Sequence, residues 1–230
     1  MLKIKTLIVA LIASAFAFSA MAQTVSMGIT GTMISYEADG HEKVKSSGTK
    51  NTKSEDGTAV IGSIFIELSD LGDYGTTIGL DVMPYGRKIG DGSNTRTDTD
   101  TEDASDQAGT NEVDVNLANA AMVYIEQPID AGIDFGTPFV KIGYQQLTLE
   151  TDENMPTGST YGDETMNGYH VGVGIKGDLA SGGFWKSGLT YASYEGATFN
   201  GSNDADSVKN IIELEDFSTV QLSISIGQSF

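Results

Sequence analysis

The chain is punctuated by short segments in which every second residue is apolar. The last is the clearest: Val220, Leu222, Ile224 and Ile226 alternate with Gln221, Ser223, Ser225 and Gly227, and the run ends on Phe230. A period of two puts these sets on opposite faces of a β-strand. Seven further segments repeat the pattern, at residues 24–36, 58–68, 76–85, 113–126, 137–149, 167–177 and 184–194. The connections alternate as well. Three are short (69–75, 127–136, 178–183) and four are long (37–57, 86–112, 151–166, 195–217).

The second face of these strands is small or polar: Gly28, Thr30, Ser63, Gly79, Gly172, Gly174, Gly188, Ser223 and Ser225. Such residues make a poor core for a soluble sandwich or lipocalin-like barrel. Turned inside out, with the apolar set facing hydrocarbon, the pattern is that of a membrane barrel, and each segment is about the 9–11 residues a tilted spanning strand needs. The sequence therefore predicts an all-β fold: an eight-stranded antiparallel transmembrane β-barrel, an up-and-down meander with short periplasmic turns and long extracellular loops. Two details strain the pattern. Asn119 falls in the lipid-facing register of the fourth segment with Val113, Val115 and Leu117, and Tyr36 and Tyr85 come out on the inner parity. A ten-stranded barrel would require residues 208–215 to find a separate partner.

Lys3 and Lys5, the apolar run 7–18 and the small-x-small pattern Ala20-Met21-Ala22 predict a cleaved signal peptide over 1–22, with the barrel domain at 23–230. The run is shorter than the roughly 20 residues a spanning helix needs. Beyond it no stretch is apolar enough to span as a helix, so insertion falls to a closed barrel. With 39% hydrophobic residues and no cysteine, the composition suits strands of which alternate residues face lipid, and it offers neither disulfides nor a thiolate site.

An exported chain that closes on an alternating strand ending in Phe230 resembles the small bacterial outer-membrane barrels of the OmpA transmembrane domain, OmpX, OmpW and opacity-protein (porin-like) type. The resemblance covers the whole exported chain and rests on architecture and the terminal strand. It implies residence in the outer membrane, with lipids and lipopolysaccharide as surroundings and a monomeric state. It also implies that Leu222, Ile224, Ile226 and Phe230 form the signal read by the barrel-assembly machinery.

An eight-stranded barrel is just wide enough for its own side chains to fill it, so ionisable residues on the inner parity are informative. Glu67, Asp81 and Glu126 bring negative charge, Lys141, Lys176 and Lys186 positive, with His170 among them. Most lie near the short turns, which predicts a charge network in the lower lumen. Such a network reads either as a plug or as a narrow ion path. Lipid-modifying barrel enzymes need a histidine beside a nucleophile. His170 is followed by Val171 and Gly172, and His41 sits among lysines, so the sequence predicts no enzyme and no catalytic residue.

Formal net charge is −19, and loss of Lys3 and Lys5 with the leader takes it to −21. This balance disfavours nucleic acid as a partner. Most of the charge falls in three long connections, which read as solvated, acidic, low-complexity surface. In one of them Asp98, Asp100 and Glu102 alternate as candidate Ca²⁺ ligands, without the glycine and distal glutamate of an EF-hand loop. No other metal or cofactor is expected. The reading that follows is a structural or surface-interaction barrel, with a narrow porin-like channel as the alternative. Truncation of Phe230 is expected to lower the folded, heat-modifiable fraction in outer-membrane preparations. Full insertion of the truncated chain would count against the terminal signal.

Overall fold

The computed structural model describes residues 24–44, 48–99, 106–154, 160–201 and 210–230. Its strands are β1 (Thr24–Val44), β2 (Thr49–Leu71), β3 (Thr76–Met83), β4 (Arg87–Thr99), β5 (Asp106–Pro128), β6 (Thr137–Asn154), β7 (Glu164–Asp178), β8 (Gly183–Tyr194), β9 (Ala197–Asn200) and β10 (Ile211–Ser229). All but β4 and β9 join in a ring of antiparallel neighbours, closed by β1 on β10 from Ser26 opposite Ser229 up to Lys43 opposite Ile211. The eight ring strands correspond to the eight alternating segments, with β3 stopping at Met83, two residues short of its expected end, and β10 at Ser229. Closure matters because an unpaired strand edge has no hydrogen-bond partner in lipid.

The two remaining strands lie on long connections. β4 continues the sheet upward on β5, and β9 pairs with the first residues of β10. Residues 211–214 thus do pair with a separate strand, but one outside the ring, and the ring count stays at eight. β1 and β2 also run on as a hairpin to Val44 and Thr49. Composition alone had suggested unstructured surface here. Most of the described residues in these connections are strand instead; in β4 Thr95, Thr97 and Thr99 recur at alternate positions, and β-branched residues favour the pleat. Thr95 and Thr110, opposite one another on β4 and β5, share a hydroxyl contact of 2.9 Å.

Outside, Ile29, Ile64, Ile142, Val171, Leu189 and Ile224 belong to an exposed apolar belt. Tyr144 and Tyr169 meet edge to face at its upper rim, their centroids 5.3 Å apart, and Tyr191 shares the outward face. Tyr85 joins them, a correction to its expected inner position. β3 pairs with β2 only up to Ile64, and the Tyr85 hydroxyl accepts the Gly62 N–H above that point at 2.7 Å. Tyr36 does point inward, donating to the Ile89 carbonyl and lying near Phe217.

Asn119 resolves as a bulge. Its φ is 49°, and the β5–β6 register slips between Ala118 and Ala121. Asparagine tolerates this left-handed conformation better than most residues, and its amide donates to Glu150 at 3.1 Å. The extra residue changes side-chain parity along β5. Below it Tyr124 and Glu126 stay inside; above it Leu117 is buried inside and Val115 packs on the same cluster, where unbroken alternation had put both toward lipid.

Inside, the small residues have a specific use. Phe65, Tyr124, Phe139, Phe184 and Tyr194 each stand directly opposite a glycine of the adjacent strand: Gly28, Gly79, Gly174, Gly227 and Gly168. A Cβ built at any of these glycines would collide with the ring it faces. Each ring lies over the bare backbone of that neighbour and takes the space a Cβ there would need. The upper lumen is filled by an apolar cluster that includes Met83, Leu117, Leu147, Met166, Phe199 and Phe217.

Gly79→Val is expected to destabilise the barrel by about 1–3 kcal/mol, the usual cost of overpacking. Gly31→Val, where a Cβ meets nothing within 4 Å, is expected to be near neutral. Urea unfolding midpoints of the two variants in the same lipid check the contrast.

Candidate functional site

The inner parity near the short turns converges on one amine. Glu67 enters from the lower end of β2, Glu126 from the end of β5 and Lys186 from the start of β8; these residues are 2%, 5% and 5% exposed. Lys186 Nζ donates to Glu67 Oε1 and contacts both oxygens of Glu126, at 3.0 and 3.2 Å. Lys141, directly opposite Glu126 across β5 and β6, adds a contact of 3.4 Å. Tyr124 donates to Glu67 Oε1 at 2.6 Å. Two cations and two carboxylates thus balance in the lower lumen, as buried charge requires.

Aromatic rings enclose the group. Lys186 Nζ lies 5.1 Å from the Phe65 centroid, 5.8 Å from Phe139 and 5.9 Å from Phe184, and Lys141 Nζ lies 3.7 Å from the Tyr124 ring. The negative ring faces favour the ammonium groups while keeping water out. Sequence reasoning counted only ionisable residues and missed these rings. Their inner parity was legible from the alternation, whereas the glycines they lie over are cross-strand neighbours that only the register reveals.

The other inner ionisable residues occupy different places. Asp81 accepts a hydrogen bond from Ser63 at 3.0 Å. Lys176, opposite Lys186 across β7 and β8, sits 4.3 Å over the Phe184 ring. His170 stands apart, its Nε2 3.1 Å from both Gln145 Oε1 and the Tyr194 hydroxyl. Between the charge clamp and the upper apolar cluster lies a cavity with about 60 Å³ of space for water centres, lined by Thr32, Ser63, Asp81, Thr190 and Ser223 among others. That space suits a few waters and no larger solute.

Of the residues assigned to the terminal signal, Leu222, Ile224 and Ile226 project outward, and the exposed Phe230 donates its N–H to the Val25 carbonyl at 2.9 Å. Of the calcium candidates, Asp98 falls in β4, and Asp100 and Glu102 lie outside the described residues, as does the leader 1–22. On the sheet above the belt, Lys88 bridges Asp114 at 2.8 Å and Asp91 at 3.6 Å. The hydrogen bond to Asp114 holds its amine above the ordinary lysine value.

No protein-family model matches the chain, and no curated protein matches it. Its fold is similar to that of the outer membrane protein OprG from Pseudomonas aeruginosa, at 11% identity and a TM-score of 0.53, over 89% of this chain and 95% of that one. Weaker likenesses are to the outer membrane protease OmpT from Escherichia coli (11% identity, TM-score 0.45, 90% and 97% coverage) and to Ail, the attachment invasion locus protein of Yersinia pestis (10%, 0.34, 88% and 99%). The fold is that of the small bacterial outer-membrane β-barrels.

Lys186→Met strands the buried Glu67 carboxylate, Glu126 keeping Lys141, and is expected to cost about 3–5 kcal/mol, the range for breaking a buried ion pair from one side. Adding Glu67→Gln to it is expected to recover most of that loss, since Lys141 and Glu126 then balance. Heat-modifiability midpoints of the single and double variants give the comparison.

Proposed function

We propose that this chain is an integral outer-membrane barrel with a sealed lumen and no catalytic role, whose work is done by the strands it raises above the membrane. The observation that carries this reading is the Lys186 clamp. Its amine, both glutamates and the surrounding rings fill the lower lumen at the width where an open pore would have to pass. The apolar cluster from Met83 to Phe217 fills the lumen above it. An ion crossing this interior would have to displace a paired charge and then desolvate among hydrocarbon side chains, both costly steps.

The raised strands are the surface left for contact. They carry carboxylates such as Glu55, Asp91, Asp114 and Glu153, with Lys50, Lys53 and Lys88 among them. Their partners in this reading are lipopolysaccharide and the cell's environment. The chain reaches its place by export and by recognition of the strand ending at Phe230 by the assembly machinery, and it works as a monomer. A narrow ion path is the second reading, and the cavity beside Asp81 and Thr190 is the observation in its favour.

Planar-bilayer recording of the refolded chain separates the two. The sealed barrel gives no steady unitary current, with transient openings at most. Stable conductance steps in the unmodified protein would overturn it in favour of the channel.

A further inference from the structure

The β1–β10 seam does not stop at the membrane. It continues upward, and there its register slips: Asp39 pairs with Asp216 but Gly40 pairs with Leu214, so Glu215 is an extra residue on β10. Below the slip Val220, Leu222, Ile224 and Ile226 face outward. Above it the parity is reversed. Leu214 packs on the apolar cluster inside, while Glu213 and Glu215 share the outer side with His41 of β1, which stands opposite Glu213. The bulge converts an alternating sequence into two carboxylates flanking one imidazole.

His41 is 6% exposed, although it lies on the outer side of the sheet. Its Nε2 is 3.1 Å from Glu213 Oε2 and its Nδ1 is 3.2 Å from Glu215 Oε1. The second approach lacks hydrogen-bond geometry, and Nδ1 is a buried nitrogen without a hydrogen-bond partner. A buried imidazole aimed at two carboxylates with one nitrogen unsatisfied has the donors of a metal site: one nitrogen and two oxygens, a set that suits zinc and disfavours calcium and magnesium. One ligand atom from each of the three side chains lies within 4.8 Å of the others. Two ligands of one zinc ion are at most about 4.2 Å apart, twice a zinc–ligand distance. Glutamate side chains 43% and 49% exposed have the freedom to close that gap.

The geometry points to a Zn²⁺ site formed by His41, Glu213 and Glu215 that staples the first strand to the last above the membrane. Water completes the coordination on the exposed side. Lys50, whose Nζ is 3.2 Å from Glu215 Oε1, is the internal competitor and swings away when the ion binds. The staple sits where the bulge interrupts the ladder, so it restores linkage across the seam where backbone pairing is weakest. This site is independent of the sealed lumen, since it lies on the opposite side of the wall from the Lys186 clamp.

The test is calorimetric titration of Zn²⁺ alone into the full, tag-free chain refolded in lipid nanodiscs. One ion per chain is expected. His41→Ala and, separately, Glu213→Gln are expected to weaken binding by more than the roughly 10–100-fold that even supporting residues of metal sites cost. His170→Gln, at the chain's other histidine, leaves binding unchanged, and Lys50→Met tightens it. In the unmodified chain Zn²⁺ slows amide exchange at residues 40–43 and 211–215. Absence of saturable binding, or binding retained in both His41→Ala and Glu213→Gln, overturns the site. If His41→Ala does not refold, Glu213→Gln, which alters a half-exposed side chain, decides alone.

Discussion

Everything in this structure depends on the pairing of β1 with β10. Hydrocarbon offers no water to a backbone N–H or C=O, and each one left unpaired there costs several kcal/mol. Seven of the eight ring contacts join strands that follow one another around the meander, with β4 and β9 set aside. The eighth brings Ser26 against Ser229, more than 200 positions along the chain, and it alone removes the two edges. It is also the contact with the greatest loop-closure cost, so the ladder must be specified along its whole length. The outward alternation of Met27, Ile29 and Met33 against Ile226, Ile224 and Leu222 does this, because a slip by one residue would turn an entire apolar row into the lumen.

Closure at eight strands then dictates what the interior can be. The lumen is narrow, and an arrangement repeated here is a large residue over a bare one. Phe65 over Gly28 and Phe184 over Gly227 bring two rings into the lower lumen from strands on either side of the closing pair, with centroids 6.1 Å apart. Lys186 extends from β8 between them toward glutamates on β2 and β5. The amine thereby ties strands that are not ring neighbours. Backbone pairing acts around the wall, whereas the clamp acts across the diameter, and the two resist different distortions of the barrel.

The outline of this fold was legible because lipid imposes a strict period on any strand that meets it. Segments 58–68 and 137–149 reveal their faces from the sequence alone, as does the terminal strand. Legibility fails where that constraint ends. Asn119 is recognisable as an anomaly, but the single-residue slip it introduces is a backbone event, and alternation read through it misplaces Val115 and Leu117. Tyr85 is misread because its hydroxyl takes over a backbone N–H where β3 stops. The inner ionisable residues could be named, yet their partnerships could not: Glu126, Lys141 and Lys186 meet, while Lys176 turns to a ring and His170 to Gln145 and Tyr194. Distance around and across a ring is not encoded in spacing along the chain.

Above the membrane the demand for closure lapses, and the sheet uses that freedom. Water can satisfy an edge, so β4 and β9 pair on one side with β5 and β10, and β2 runs to Thr49 beyond the reach of β3. Bulges become tolerable as well. Within the belt, an extra residue at the seam would drive Leu222 or Ile224 inward. At Glu215 it exchanges the two faces of β10 at no hydrophobic cost, burying Leu214 against the interior cluster and bringing Glu213 and Glu215 to His41. The alternation that makes the lower strand a membrane strand is therefore the alternation that, shifted by one residue, gathers polar side chains on the outer side of the upper strand. The position of the bulge along β10 marks where the sequence stops answering to lipid.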